Sequence, residues 1–278
     1  MTHLRSFVLA AIENESAPLW WPGLAVALAR ARSSRLPFAP EKYSTSAFLD
    51  GKLIPEKLLT SPLAAAHDRL GLTLEVLAPT LAERFADRNL VLADANDVTD
   101  GVCNAIADAT ALICNLPSLA ESIRALARSV HILKSEGPGY DVSFSDPSIP
   151  FSIFLSVPDA PDRNLRVAEA IVHESMHLQL TLVEDVAPLV GSDQATHYSP
   201  WKQQTRPLSG IVHATYVFSV ISQWLDYLAI ECPELSPKIV RRRSQIAEEI
   251  AELDVSGIEE GLTPLGQRLI RRLFESHR

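Results

Sequence analysis

The residues best suited to chemistry stand in one short run, IVHESMHLQLTLVED at 171–185, where His173, Glu174 and His177 form an HExxH frame. On a helix, residues four apart share a face about one turn apart, so both imidazoles can direct a ring nitrogen at a single ion. Glu174 lies beside that face, within reach of a metal-bound water or of an outer position that orients a ligand. The bland alternative is a pair of partly exposed helix histidines with no metal.

Two imidazoles do not hold a catalytic metal tightly, because open sites generally take three protein ligands and leave the remaining positions to water or substrate. The run does not continue as HExxHxxGxxH: Leu180 stands at the glycine position and Val183 at that of the third histidine, which excludes the metzincin arrangement. The third ligand is therefore sought further on, among Glu184, Asp185, Asp193, His197, His213, Asp226 and Glu231. Glu184 follows His177 by two helical turns, about 10 Å along the axis, too far to share an ion. His213 is the better candidate, since 213 − 177 = 36 residues on it interrupts an otherwise apolar helix. A buried imidazole there needs a partner, and a metal or a backbone carbonyl would supply one. His197, in the intervening polar segment, is the runner-up.

The elements that must position these residues follow from pattern. Residues 1–130 read as a mainly helical region, with AVALARARS, AAAHDRLGLTLEVL, VCNAIADATALI and LAESIRALARSV carrying apolar residues three and four apart. WWPG at 20–23 reads as an aromatic anchor at a helix boundary. His67 and His131 read as packing or surface histidines. From 131 to 278 the character changes to a metal-binding region. VHILK, DVSFS and PFSIFLSVP, separated by EGPGY and DPSIP, predict a small sheet over about 131–157. PFSIFLSVP could be an edge strand that pairs with an extended peptide. The HExxH helix is expected over about Arg163 to Glu184, then a polar loop APLVGSDQATHYSPWKQQTRP, an apolar helix over 207–230 and two further helices. The fold class is α+β, mainly α-helical. The run RRR at 241–243 reads as a solvated helix face rather than a phosphate site.

Composition narrows the function classes. The 278 residues are 47% hydrophobic, enough for a sizeable core, and carry a formal net charge of −9, which argues against nucleic acid as a partner. No apolar run approaches a membrane span, and no secretory signal is visible at the N-terminus. Cys103, Cys114 and Cys232 are odd in number and form no CxxC pair, which suits a reducing, cytoplasmic setting and speaks against cysteine ligation.

SDPSIP at 145–150, HESMH at 173–177, SPW at 199–201, RPLSGIVHATYVF at 206–218 and LTPLGQRLIRRL at 262–273 together resemble the HExxH-motif peptide-modification proteins encoded beside ribosomally made peptides. That family is described as iron(II)- and 2-oxoglutarate-dependent peptide β-hydroxylases. The resemblance covers roughly the C-terminal half, and the pairing of HESMH with RPLSGIVH is its more specific part. It implies His173, His177 and His213 as metal ligands, Arg206 as partner of an anionic cosubstrate, and a precursor peptide as substrate. A third histidine departs from the two-histidine, one-carboxylate triad usual for iron in this cofactor class. Three imidazoles also suit zinc, so a zinc metallopeptidase with Glu174 activating a water is the second reading. A third is a peptide-binding protein with a structural metal closed by His197 as a fourth ligand.

Overall fold

SVHIL, SFS and SIFLS lie between turn compositions and form strands, as their β-branched and aromatic content predicts. The computed structural model describes residues 2–36, 48–49, 52–53, 70–76, 90–94, 96–135, 137, 140–146, 149–191 and 196–277. Packing divides the chain into two compact units, one of residues 29–178 and one of residues 1–28 with 179–278.

In the first unit, β4 (Ser129–Leu133) and β6 (Ser152–Ser156) pair in parallel, β3 (Thr73–Glu75) adds in parallel beside β4, and β5 (Ser143–Ser145) pairs antiparallel with β6. The order is β3-β4-β6-β5. Every residue of β4 and β6 is buried, as expected of central strands covered on both faces. A separate antiparallel ribbon joins β1 (Phe48–Leu49) to β2 (Lys52–Leu53). The helices α3 (Asp100–Cys114) and α4 (Pro117–Leu126) precede β4. Thr99 caps α3, its side chain accepting from the Val102 amide, and Pro117 opens α4 at a position that needs no donor.

Two expectations change here. AAAHDRLGLTLEVL was expected to be helical, but Thr73–Glu75 is a strand: Gly71 at φ +70° breaks a helical path, and pairing with Ser129–His131 satisfies the backbone that follows. His67 lies outside the described residues. PFSIFLSVP is not an edge, because β6 sits between β4 and β5; among the described residues the edge beside it is β5.

The HExxH run lies on α5 (Arg163–Glu184), a helix whose interior has neither Gly nor Pro. From Leu165 to Val183 this helix is buried except for a stripe at Arg166, Glu169, His173, His177, Thr181 and Leu182. The stripe's spacing of three and four residues places one partly exposed, mainly polar seam on a helix that is otherwise buried, with Glu174, Ser175 and Gln179 among its buried polar residues.

The second unit is helical: α1 (Thr2–Glu13), α2 (Pro22–Ser33, its last turn beyond residue 28), α6 (Leu208–Glu231), α7 (Ser236–Ala251), α8 (Val255–Glu259) and α9 (Pro264–Glu275). Its centre is built on the WWPG anchor. Trp21 stacks on Tyr216 at 5.3 Å, and the Tyr216 hydroxyl, whose pKa burial pushes well up, donates to the Leu19 carbonyl at 2.9 Å. Arg272 lies under Trp21 and donates to the carbonyls of Ala11, Ile12 and Ala17, satisfying the end of α1 with a buried guanidinium. Thr263 caps α9, accepting from the Gly266 amide and donating to the Pro188 carbonyl. A Cβ on Gly266 would stand 2.1 Å from the Leu189 carbonyl oxygen, so only glycine permits this approach. Part of the expected polar loop is a hairpin, β7 (Thr196–Ser199) against β8 (Gln204–Pro207), turned through Gln203 at φ +50°.

Candidate functional site

Helical spacing brings His173 and His177 together. Their Nε2 atoms are 3.1 Å apart and their rings meet edge to face, with centroids 4.7 Å apart. Two imidazole nitrogens at about 2.0–2.1 Å from one ion, subtending 90–109°, would be about 2.8–3.4 Å apart. The observed separation falls within that range. Without an ion, one ring donates to the other, which fixes opposite tautomers on two adjacent side chains.

Glu174 lies on the buried side of the helix, close to His173. It is 2% exposed, and its Oε1 accepts from the Ser143 hydroxyl at 2.7 Å while standing 3.8 Å from His173 Nε2. The edge strand β5 thus anchors the carboxylate of the HExxH helix. The HExxH spacing does not reveal Ser143. The available signal was the alternation in DVSFS, which puts Ser143 and Ser145 on one face of the strand.

His213 does sit in a largely buried helix and does have a partner, which is a carboxylate: its Nε2 lies 2.9 Å from Glu184 Oε2. The demand for a polar partner read from the sequence is met here by the residue two turns beyond His177. His197 lies on β7 in register with Arg206 on β8, and its Nε2 is buried without a hydrogen-bond partner. Arg206 is exposed, and its guanidinium enters none of the ion pairs among the described residues. Its side chain lies against the backbone of Gly210 in the first turn of α6.

Of the other candidates, Asp226 is paired with Arg243 at 2.7 Å, Asp185 and Glu231 are exposed, and Asp193 lies outside the described residues. Among the described residues, no group of three or more His, Cys, Asp or Glu is arranged to hold a metal ion. The donor set that fits an ion is therefore the pair His173 and His177. None of the three cysteines forms a disulfide among the described residues, Cys232 is buried, and no helix is long and apolar enough to cross a membrane among the described residues. No protein-family model matches the chain, and no curated protein matches it significantly.

Proposed function

We propose that the chain is an iron(II)- and 2-oxoglutarate-dependent oxygenase that hydroxylates a β carbon in a ribosomally made precursor peptide. The observation that carries the metal is the convergence of the His173 and His177 Nε2 atoms at 3.1 Å on the polar seam of α5. His213 is the proposed third ligand, and taking that role requires its exchange of Glu184 for the ion. Bound iron supplies dioxygen chemistry: 2-oxoglutarate is oxidised to succinate and carbon dioxide, and one oxygen atom enters the substrate C–H bond.

The chain's own residues divide the remaining work. Arg206, exposed and with a planar fork suited to carboxylates, binds the distal carboxylate of 2-oxoglutarate. Glu174, tied to Ser143 on its buried side, stands 3.8 Å from His173 Nε2, the nitrogen proposed to bind the ion, and serves there as a fixed negative charge beside the site. That placement supports the oxygenase over a zinc metallopeptidase, whose glutamate must face a metal-bound water. The peptidase keeps one observation in its favour, since a rotation about the Glu174 side chain from 3.8 Å would bring the carboxylate to the seam.

The test is anaerobic reconstitution with iron(II), followed by oxygen, 2-oxoglutarate and a candidate precursor peptide. The expected outcome is a peptide heavier by one oxygen, with succinate released in equal amount. Peptide cleavage with zinc alone, removed by Glu174→Gln and indifferent to 2-oxoglutarate, would replace this reading with the peptidase.

A further inference from the structure

In the sheet unit, hydrogen bonding along β5 fixes which way each peptide group points. The Ser156 amide donates to the Val142 carbonyl at 2.9 Å, and the Val142 amide donates to the Ser156 hydroxyl at 2.9 Å, so both Val142 groups face β6. Peptide groups alternate between the two edges of a strand, and the antiparallel register Phe144↔Phe154 makes Phe144 the next residue turned to β6. The N–H and C=O of Ser143 and of Ser145 therefore point to the outer edge. Among the described residues, none of these four groups has a hydrogen-bond partner. The sheet's other edge is less accessible: Leu74 and Glu75 of β3 are buried, whereas all three residues of β5 are partly exposed. Reachable edges are commonly blunted by a charge or a proline, and SFS carries neither.

The two faces of β5 differ as sharply as its two edges. Val142 and Phe144 pack on the core of Leu133, Ile149 and Phe154. Ser143 and Ser145 face the opposite way, where the Ser143 hydroxyl holds Glu174 Oε1 at 2.7 Å and that oxygen stands 3.8 Å from His173 Nε2. The open edge thus continues directly into the histidine seam, inside one packing unit.

We infer that the outer edge of β5 receives an extended peptide as an added antiparallel strand. Ser143 and Ser145 each exchange two hydrogen bonds with the peptide residue opposite, and the side chains of those two peptide residues project to the face that carries His173. The peptide residue opposite Ser143 is the one presented to the seam. The residue between the two turns its own peptide groups to solvent and its side chain to the Phe144 face. An N–H and C=O pair repeated every second residue matches a peptide backbone, so the main chain supplies affinity and the two inward side chains supply selection. That the bound peptide is also the substrate rests on the function proposed above.

The experiment uses the full chain with neither iron nor 2-oxoglutarate added, so that it reads binding rather than hydroxylation. The probe is a library of random heptapeptides, panned on the parent and counter-selected on Ser145→Pro. That substitution removes the outward Ser145 N–H and no bond of the β5–β6 ladder, the setting in which an edge strand tolerates proline. Retained heptapeptides are resynthesised with a fluorescent label and with single N-methyl groups along the chain. N-methylation at two positions two residues apart should each weaken binding about tenfold, and N-methylation between them less than about twofold. Ser145→Ala, which keeps the amide, should bind as the parent does. If Ser145→Pro misfolds, hydrogen exchange on the ¹⁵N-serine-labelled parent carries the test: the peptide should slow the amides of Ser143 and Ser145. Failure to retain any heptapeptide, N-methyl sensitivity without the two-residue repeat, or unprotected Ser143 and Ser145 amides would each overturn the assignment. Protection that rises with protein concentration in the absence of peptide would overturn it too, giving the edge to a second copy of the chain. Peptide binding at β5 with no hydroxylation under the conditions above would remove the oxygenase and leave this edge standing. A hydroxylated precursor with both amides unprotected would do the reverse.

Discussion

In the helical unit, the buried guanidinium of Arg272 reaches the carbonyls of Ala11, Ile12 and Ala17 and stacks beneath Trp21. In the sheet unit, the buried carboxylate of Glu75 and imidazole of His131 stop 3.9 Å apart, and neither His131 nitrogen finds a hydrogen-bond partner. Glu174, equally buried, is anchored by Ser143 beside a seam of partly exposed histidines. A charge met by several carbonyls closes an architecture, because removing it strands every group it satisfied. A charge anchored beside a polar seam leaves neighbouring side chains able to accept a ligand.

The largest effect that would break this contrast lies in the seam. His173→Ala and His177→Ala should each abolish stoichiometric metal binding, with affinity falling more than about a hundredfold, while unfolding free energy changes less than for a core residue because both side chains are partly exposed. His213→Ala should do the same to the metal. Full metal content in His213→Ala, together with loss in His197→Ala, would move the third ligand to the β7 histidine. Elemental analysis of the purified variants reads all four.

Arg272→Ala probes the other side of the comparison. It leaves three carbonyls of the α1 region without their donor and should destabilise the protein by about 3–5 kcal/mol. Urea unfolding measures the loss, and metal content per folded chain should not change. Arg272→Lys should recover only part of the stability, since one ammonium cannot reproduce the planar fork. A loss under about 1 kcal/mol would show that the guanidinium is not what ties α1 to the unit.

Arg206→Ala sharpens the functional half. Loss of a charge-assisted pair predicts a 2-oxoglutarate affinity lower by about 1.5–3 kcal/mol, or one to two decades, partly rescued by added cosubstrate. Stability should stay within about 0.5 kcal/mol for an exposed residue outside the described ion pairs. Unchanged cosubstrate affinity would remove Arg206 from the site.

Much of this arrangement was legible in the sequence because it is local. The helix Arg163–Glu184, the turn-by-turn pairing of His173 with His177, and Thr263–Pro264 opening the last helix are each fixed by residues within one or two turns. What could not be read depends on residues far apart in the chain. Thr73–Glu75 is a strand because residues 129–131 pair with it, and β6 is interior because a parallel partner lies on one side and β5 on the other. The Ser143 anchor on Glu174, 31 residues apart, needs the sheet before it can exist. His213 shows the intermediate case. Its need for a partner follows from an apolar helix, but Glu184 becomes that partner only through tertiary packing.

The smallest effect tests the Glu75–His131 pair through pH. Burial lowers the pKa of His131 below its ordinary value, while the nearby Glu75 carboxylate opposes the shift. The unfolded chain therefore takes up a proton near pH 6.5 that the folded chain refuses, and stability present above that pH is lost as pH falls toward the lower folded value. One such group gives a slope of at most about 1.4 kcal/mol per pH unit. His277, also lowered by burial, adds a slope of the same sign. His131→Phe keeps an aromatic ring against Phe154, on which His131 stacks at 4.6 Å, and removes one titrating group. Between pH 6.5 and 5, above the ordinary carboxylate range, the variant should lose stability more slowly than the parent as pH falls, because the His131 share of the slope is gone while the His277 share stays. Urea unfolding at several pH values measures both slopes. Equal slopes in parent and variant would mean that His131 titrates in the folded protein as it does in the unfolded chain, and that the 3.9 Å pair with Glu75 closes when the ring takes a proton.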